Sequence, residues 1–135
     1  MSVLAVAVLG SCKKDDDTPD TRAEMLVDTW NSTEIGIDTN ANGVWDASER
    51  DPAAGNAVKI TFSGDGTGTA TYAVIGTPFA ITWNLQNNDN DIRLISNVFG
   101  TPDTTIEHIV SFSIAEAIVR DESYSPAHYM TLKKQ

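Results

Sequence analysis

Apolar and polar residues alternate with a period of two along most of this chain, and that rhythm predicts strands. The clearest case is Ala57 to Ser63, A-V-K-I-T-F-S. It puts Val58, Ile60 and Phe62 on one face and Lys59 and Thr61 on the other. Gly64-Asp65-Gly66-Thr67 follows, and Asp-Gly between alternating runs marks a hairpin. Gly68 to Ile75 is the returning strand, with Tyr72 and Val74 inward. After a turn at Gly76-Thr77-Pro78, Phe79, Ile81, Trp83 and Leu85 line one face of the next strand. Asn87-Asn88-Asp89-Asn90 is a turn of residues that tolerate positive φ. Ile92 to Ser96 comes next, then a break at Gly100 to Asp103. Thr104 to Ile114 then carries Val110, Phe112 and Ile114 on one side. Ala117 to Asp121 and Ala127 to Lys133, separated by Glu122 to Pro126, complete the set. Trp30 to Ile37 precedes them as the first strand. Thr21 to Asp28 carries helix formers, with Asp20 or Thr21 as N-cap.

About eight short strands joined by tight turns, with no βαβ spacing, specify an all-β antiparallel meander. Rolling it into an up-and-down barrel removes the exposed edges. A two-sheet sandwich is the alternative. The bore of an eight-stranded barrel is just wide enough for side chains or one small ligand. Trp30, Phe62, Tyr72, Phe79, Trp83 and Phe112 are the candidates to line such a cavity, and ordinary core packing is the plainer role for them.

Composition narrows the class. The chain has 135 residues, 41% hydrophobic and 21% charged, which suits one globular domain with a real core. Its net charge of -10 would repel a phosphate backbone, so no nucleic-acid partner is expected, while cation binding is permitted.

The first twelve residues, M-S-V-L-A-V-A-V-L-G-S-C, predict an address. Val3 to Leu9 is an apolar run too short to span a bilayer and of signal-peptide length, followed by small residues. No Lys or Arg precedes it. Leu9-Gly10-Ser11-Cys12 resembles the bacterial lipobox, in which the cysteine is diacylated and becomes the first mature residue. Cys12 is the only cysteine, so no internal disulfide can form. Lys13 to Asp20, K-K-D-D-D-T-P-D, reads as a charged, proline-broken tether. The expected organisation is a signal peptide at 1–11, a lipidated cysteine and tether at 12–20, and a barrel domain at 21–135. Acyl chains on Cys12 would hold that domain at a membrane.

A short helix, Asp28-Thr29-Trp30 opening the first strand, and Ile60-Thr61-Phe62 before Gly64-Asp65-Gly66-Thr67 together resemble the lipocalin-like domains of Bacteroidetes lipoproteins. So do Ile81-Thr82-Trp83-Asn84-Leu85 before an Asn/Asp turn and the closing Tyr129 to Lys134 strand. The likeness covers roughly residues 26 to 134 and consists mostly of strand grammar. Asp28 stands where lipocalins proper carry glycine. The resemblance implies a small barrel plugged at one end by a helix, binding something small or apolar. It also implies an outer-membrane location, where the acidic run after Cys12 resembles a signal for export to the surface rather than the periplasmic face.

One loop carries specific chemistry. Asp38 to Glu49, D-T-N-A-N-G-V-W-D-A-S-E, matches the calcium-loop pattern D-x-[DN]-x-[DN]-G-x₅-E in full. Calcium takes six to eight oxygen ligands. Asp38, Asn40, Asn42, the Val44 carbonyl, Asp46 (through water) and Glu49 are the expected set, with Gly43 permitting the sharp turn. The flanks are not helical, since a strand precedes the loop and Pro52 and Gly55 follow it. An EF-hand-like loop between strands, binding Ca²⁺ at roughly 10⁻⁴–10⁻³ M as a structural ion, is the expectation. A metal-free Asx-rich turn is the plainer alternative.

Nothing else points to catalysis. His108 and His128 have no ligand-like neighbours in sequence, and no G-x-S-x-G motif occurs. Asp15 to Asp17 reads as tether charge, and Asn88 to Asp91 as a hairpin turn. The expected function is therefore non-enzymatic: a lipid-anchored, calcium-stabilised binding module for a small apolar ligand or a partner surface. A filled-core subunit of a surface assembly is the alternative.

Overall fold

The computed structural model describes residues 21–97 and 100–135, so the leader, Cys12 and the tether lie outside the described residues. Helix α1 (Arg22–Leu26) leads into nine strands: β1 (Asp28–Ile37), β2 (Arg50–Pro52), β3 (Val58–Phe62), β4 (Thr67–Tyr72), β5 (Phe79–Gln86), β6 (Asp91–Ser96), β7 (Asp103–Phe112), β8 (Glu116–Asp121) and β9 (His128–Lys134). From β3 onward each strand pairs antiparallel with the next, and β9 returns to β1. Eight strands thus close a barrel, and a sandwich is set aside. The additional strand, β2, went unpredicted because it is only three residues long and contains Pro52. It lies beside the second half of β1, Glu34–Gly36, while β3 takes the first half, Asp28–Asn31. Where β3 leaves β1, the Val58 N–H donates to the Ser32 hydroxyl at 2.8 Å instead.

Two sequence expectations fail by register. Gly68 to Ile75 does not run as one strand: β4 stops at Tyr72, and Val74 is 73% exposed in the turn. Ala70 takes the inward place, opposite Ile60 and Phe79. In β7 the pairing with β8 slips between Ile109 and Ser111. The bulge turns Val110 outward, to 46% exposure, and sends Ile109 into the core. Phe112 still packs inward, opposite Ala117, while Ile114 falls in the exposed turn beyond β7. The Asn87-Asn88-Asp89 turn behaves as expected, with all three residues at positive φ.

The core sits toward one end. Thr21 caps α1, its hydroxyl accepting from the Glu24 N–H at 3.1 Å. Leu26 and Trp30 are 0% exposed, and the Trp30 indole donates to the Leu26 carbonyl at 2.8 Å, satisfying a helix-end oxygen. Arg22 ties the helix to the β5–β6 turn through the Asp89 carbonyl at 2.9 Å, and Lys134 does so to β9 through the Met25 carbonyl at 2.8 Å. The helix therefore plugs this end, over Trp30, Phe62, Trp83 and Phe112.

Candidate functional site

The opposite end is open. Its inward positions are held by Val58, Ile60, Ala70, Ile81, Leu94 and Thr105, which are too short to fill an eight-stranded bore. They leave a cavity of about 410 Å³ with Tyr72, Phe79, Tyr124 and His128 around its mouth. Tyr72 and Phe79 pack at 5.3 Å, and the Tyr124 ring stacks on His128 at 3.8 Å.

Of the aromatic residues expected to line a cavity, Tyr72 and Phe79 do so. Trp30, Phe62, Trp83 and Phe112 belong to the closed half instead. Alternation assigns a side chain to the inward face but carries no information on its height along the barrel axis, which depends on strand register.

Glu107 is the residue that sequence reasoning missed. It lies inward on β7, opposite Ile92 on β6 and Asp121 on β8, and is 8% exposed on the cavity surface. Burial pushes its carboxyl up to about 8, and the charge of Asp121 adds to the effect. It is therefore neutral through most of the physiological range. The Tyr72 hydroxyl is also raised, first by burial and then by Glu107, Asp103 and Tyr124. Counting parity back from Val110 and Phe112 places Glu107 outside, and the bulge at Val110 reverses that parity. Asp121 is held in a local turn, accepting from the Ser123 N–H at 2.9 Å and hydroxyl at 2.6 Å. His108, outside the barrel, pairs with Asp91 at 2.8 Å.

The Asp38–Glu49 loop folds back over the outer wall. Trp45 is 4% exposed and stacks on Tyr129 of β9 at 5.3 Å, with the Arg50 guanidinium 4.6 Å above its ring. Gly36 makes this approach possible, since a Cβ there would collide with the Glu49 carbonyl and lie 2.8 Å from the Trp45 indole nitrogen. Within the loop, the Asp38 carboxylate accepts from the Asn42 N–H (3.3 Å) and the Gly43 N–H (2.8 Å). The Asp46 carboxylate receives the side-chain amides of Asn42 (3.2 Å) and Asn40 (3.5 Å). The Glu49 carboxylate accepts from the Asp46 N–H (2.8 Å), the Thr39 hydroxyl (2.8 Å) and the Asn40 N–H (3.3 Å). These bonds, that from Asp46 above all, hold its pKa below the ordinary value. Ala41 and Gly43 supply the positive φ of the turn, and the Val44 side chain points to solvent.

All five predicted side-chain ligands thus fall within one hydrogen-bonded loop of oxygen donors, which is the donor chemistry a hard cation takes. Among the described residues no group of three or more His, Cys, Asp or Glu side chains is gathered as for a metal. The three loop carboxylates are joined by way of asparagine amides and backbone N–H groups. Neither a protein-family model nor a curated protein sequence matches the chain.

Proposed function

We propose that this protein is a non-enzymatic, extracytoplasmic binding module that holds one small apolar ligand in the open half of its barrel. The observation that carries the reading is the apolar-walled cavity of about 410 Å³ opposite the helix plug. Such a space is the ordinary size for a small-molecule site, and a filled-core interaction subunit would have no use for it. Calorimetry with 1-octanol is expected to show saturable, one-to-one uptake, abolished by Leu94→Trp, which fills the bore from β6. Absence of uptake by the wild-type chain, of 1-octanol and of octyl compounds with other heads alike, would remove the ligand reading.

Calcium is the proposed structural ion, with Asp38, Asn40, Asn42, Asp46, Glu49 and the Val44 carbonyl to hold it. The support is the full spacing match together with the gathering of those oxygen-bearing side chains in one loop clamped to the barrel by Trp45. The ion would replace N–H donors around the carboxylates and tie β1 to the segment leading into β2. For a site of roughly 10⁻⁴–10⁻³ M, 10 mM calcium is expected to add roughly 1.4–2.7 kcal/mol of stability. A melting series with calcium and with chelator checks this, and Glu49→Ala should remove the difference. An unchanged melting temperature in the wild-type chain would exclude the ion.

Anchoring through acylated Cys12 at a bacterial outer membrane rests on Leu9-Gly10-Ser11-Cys12 and the K-K-D-D-D run after it. Mass spectrometry of protein from its own host should find the chain beginning at a lipid-modified Cys12. An unmodified, uncleaved leader would refute the anchor.

A further inference from the structure

The apolar wall of the cavity carries one buried carboxyl, that of Glu107, which no group among the described residues satisfies. Glu107 is 8% exposed on that wall, and among the described residues no donor reaches its oxygens. A buried polar group without a partner costs free energy, so its place is strained unless a ligand completes it. Asp121 faces it from the next strand, and no Lys or Arg lies among the residues that line the cavity. Tyr72, Phe79 and Tyr124 add aromatic rings at the mouth.

These features discriminate between ligand heads. A carboxylate head would face Asp121 with no Lys or Arg to pair with it, and only the Glu107 carboxyl proton to accept from. A hydroxyl would form only ordinary hydrogen bonds with the polar groups of the wall, with no charge pairing. A protonated amine finds a charge-assisted bond to Glu107 in a cavity whose lining is rich in aromatic rings. We propose that the cavity selects a small primary amine with an apolar body, its ammonium group paired with Glu107. This rests on reading the barrel mouth as a ligand site.

The pairing has a proton signature. The empty barrel holds Glu107 protonated at neutral pH. An entering ammonium ion pairs with the carboxylate form, so the carboxyl proton leaves to solvent: ammonium plus carboxylic acid gives the ion pair plus one proton. Uptake at pH 7 therefore releases up to one proton per amine, and affinity rises from pH 6 to pH 8. The other titratable groups sharing the cavity are Asp121 on β8, Tyr72 on β4, Tyr124 in the β8–β9 turn, and His128 and Tyr129 on β9. All five persist in Glu107→Gln, so proton release that survives there belongs to them.

Calorimetry on the full chain at pH 7 with octylamine, 1-octanol and octanoate tests this. Octylamine is expected to bind at least about tenfold more tightly than 1-octanol, and octanoate more weakly than either. Glu107→Gln should bring octylamine down to the level of 1-octanol and abolish the proton release. If 1-octanol binds the wild-type chain as tightly as octylamine does, or if the variant keeps the amine preference, the amine assignment falls while the cavity reading stands. If none of the three enters, the ligand site itself falls and takes the amine with it. The wild-type series alone separates failure of the ligand site from failure of the amine preference.

Discussion

Trp30→Ala is expected to lower the unfolding free energy by roughly 3–5 kcal/mol, the usual cost of truncating a buried large aromatic. Trp30 is fully buried at the junction of α1, β1 and β9, near Phe112 and beneath the Lys134 ammonium. Truncation leaves a cavity and also strips the Leu26 carbonyl of its indole donor. Trp30→Phe separates the two effects, since it keeps most of the packing but orphans the same carbonyl, at about 1–3 kcal/mol. Urea titration of the three proteins measures both steps. A loss below about 1 kcal/mol for the alanine variant would mean that the helix plug contributes little to holding the barrel shut.

The second large effect is a pH dependence centred on Glu107, whose carboxyl titrates near 8 in the folded protein against the ordinary 4.5 of an exposed glutamate. At pH below about 4.5 the group is protonated in both states and does not bias folding. Between about 4.5 and 8 the unfolded chain gives up the proton while the folded one keeps it, so stability falls as pH rises. Above about 8 the loss levels off, at roughly 5 kcal/mol if the whole difference is realised. Glu107→Gln removes the titration. It should match the wild-type chain near pH 4.5 and exceed it by roughly 3–3.5 kcal/mol at pH 7, widening toward pH 9. Denaturant unfolding of both proteins across that range is the measurement. Parallel curves would show that the carboxyl is solvated in the folded state and would weaken its role in ligand selection. A residue that destabilises its own fold is the expected cost of a prepared site.

The strand grammar was largely legible because it is local. Val58, Ile60 and Phe62 alternate in sequence and face the core together. Asp65-Gly66 makes a hairpin because glycine supplies the positive φ it needs. Asp38, Asn40, Asn42, Asp46 and Glu49 likewise lie in one turn-rich loop whose hydrogen bonds are local, running between side chains and backbone groups of the loop itself. The clamp beneath that loop was not legible. Trp45 meets Tyr129 and Gly36 only because β9 closes against β1, which joins residues from opposite ends of the domain.

What the sequence by itself determined is the all-β alternation, the order of the strands, the turns between them and the oxygen-rich loop, because each depends on the chemistry of neighbouring residues. What only the tertiary structure decided is which half of the barrel is hollow and which groups face that space. Trp30 and Trp83 alternate as Phe79 does, yet they fill the closed half while Phe79 borders the open one. Glu107 reaches the interior because one unpaired residue, Val110, shifts the face of β7 by a single step. Register and bulge positions minimise the energy of whole strand pairs, so no single strand carries them in its own pattern.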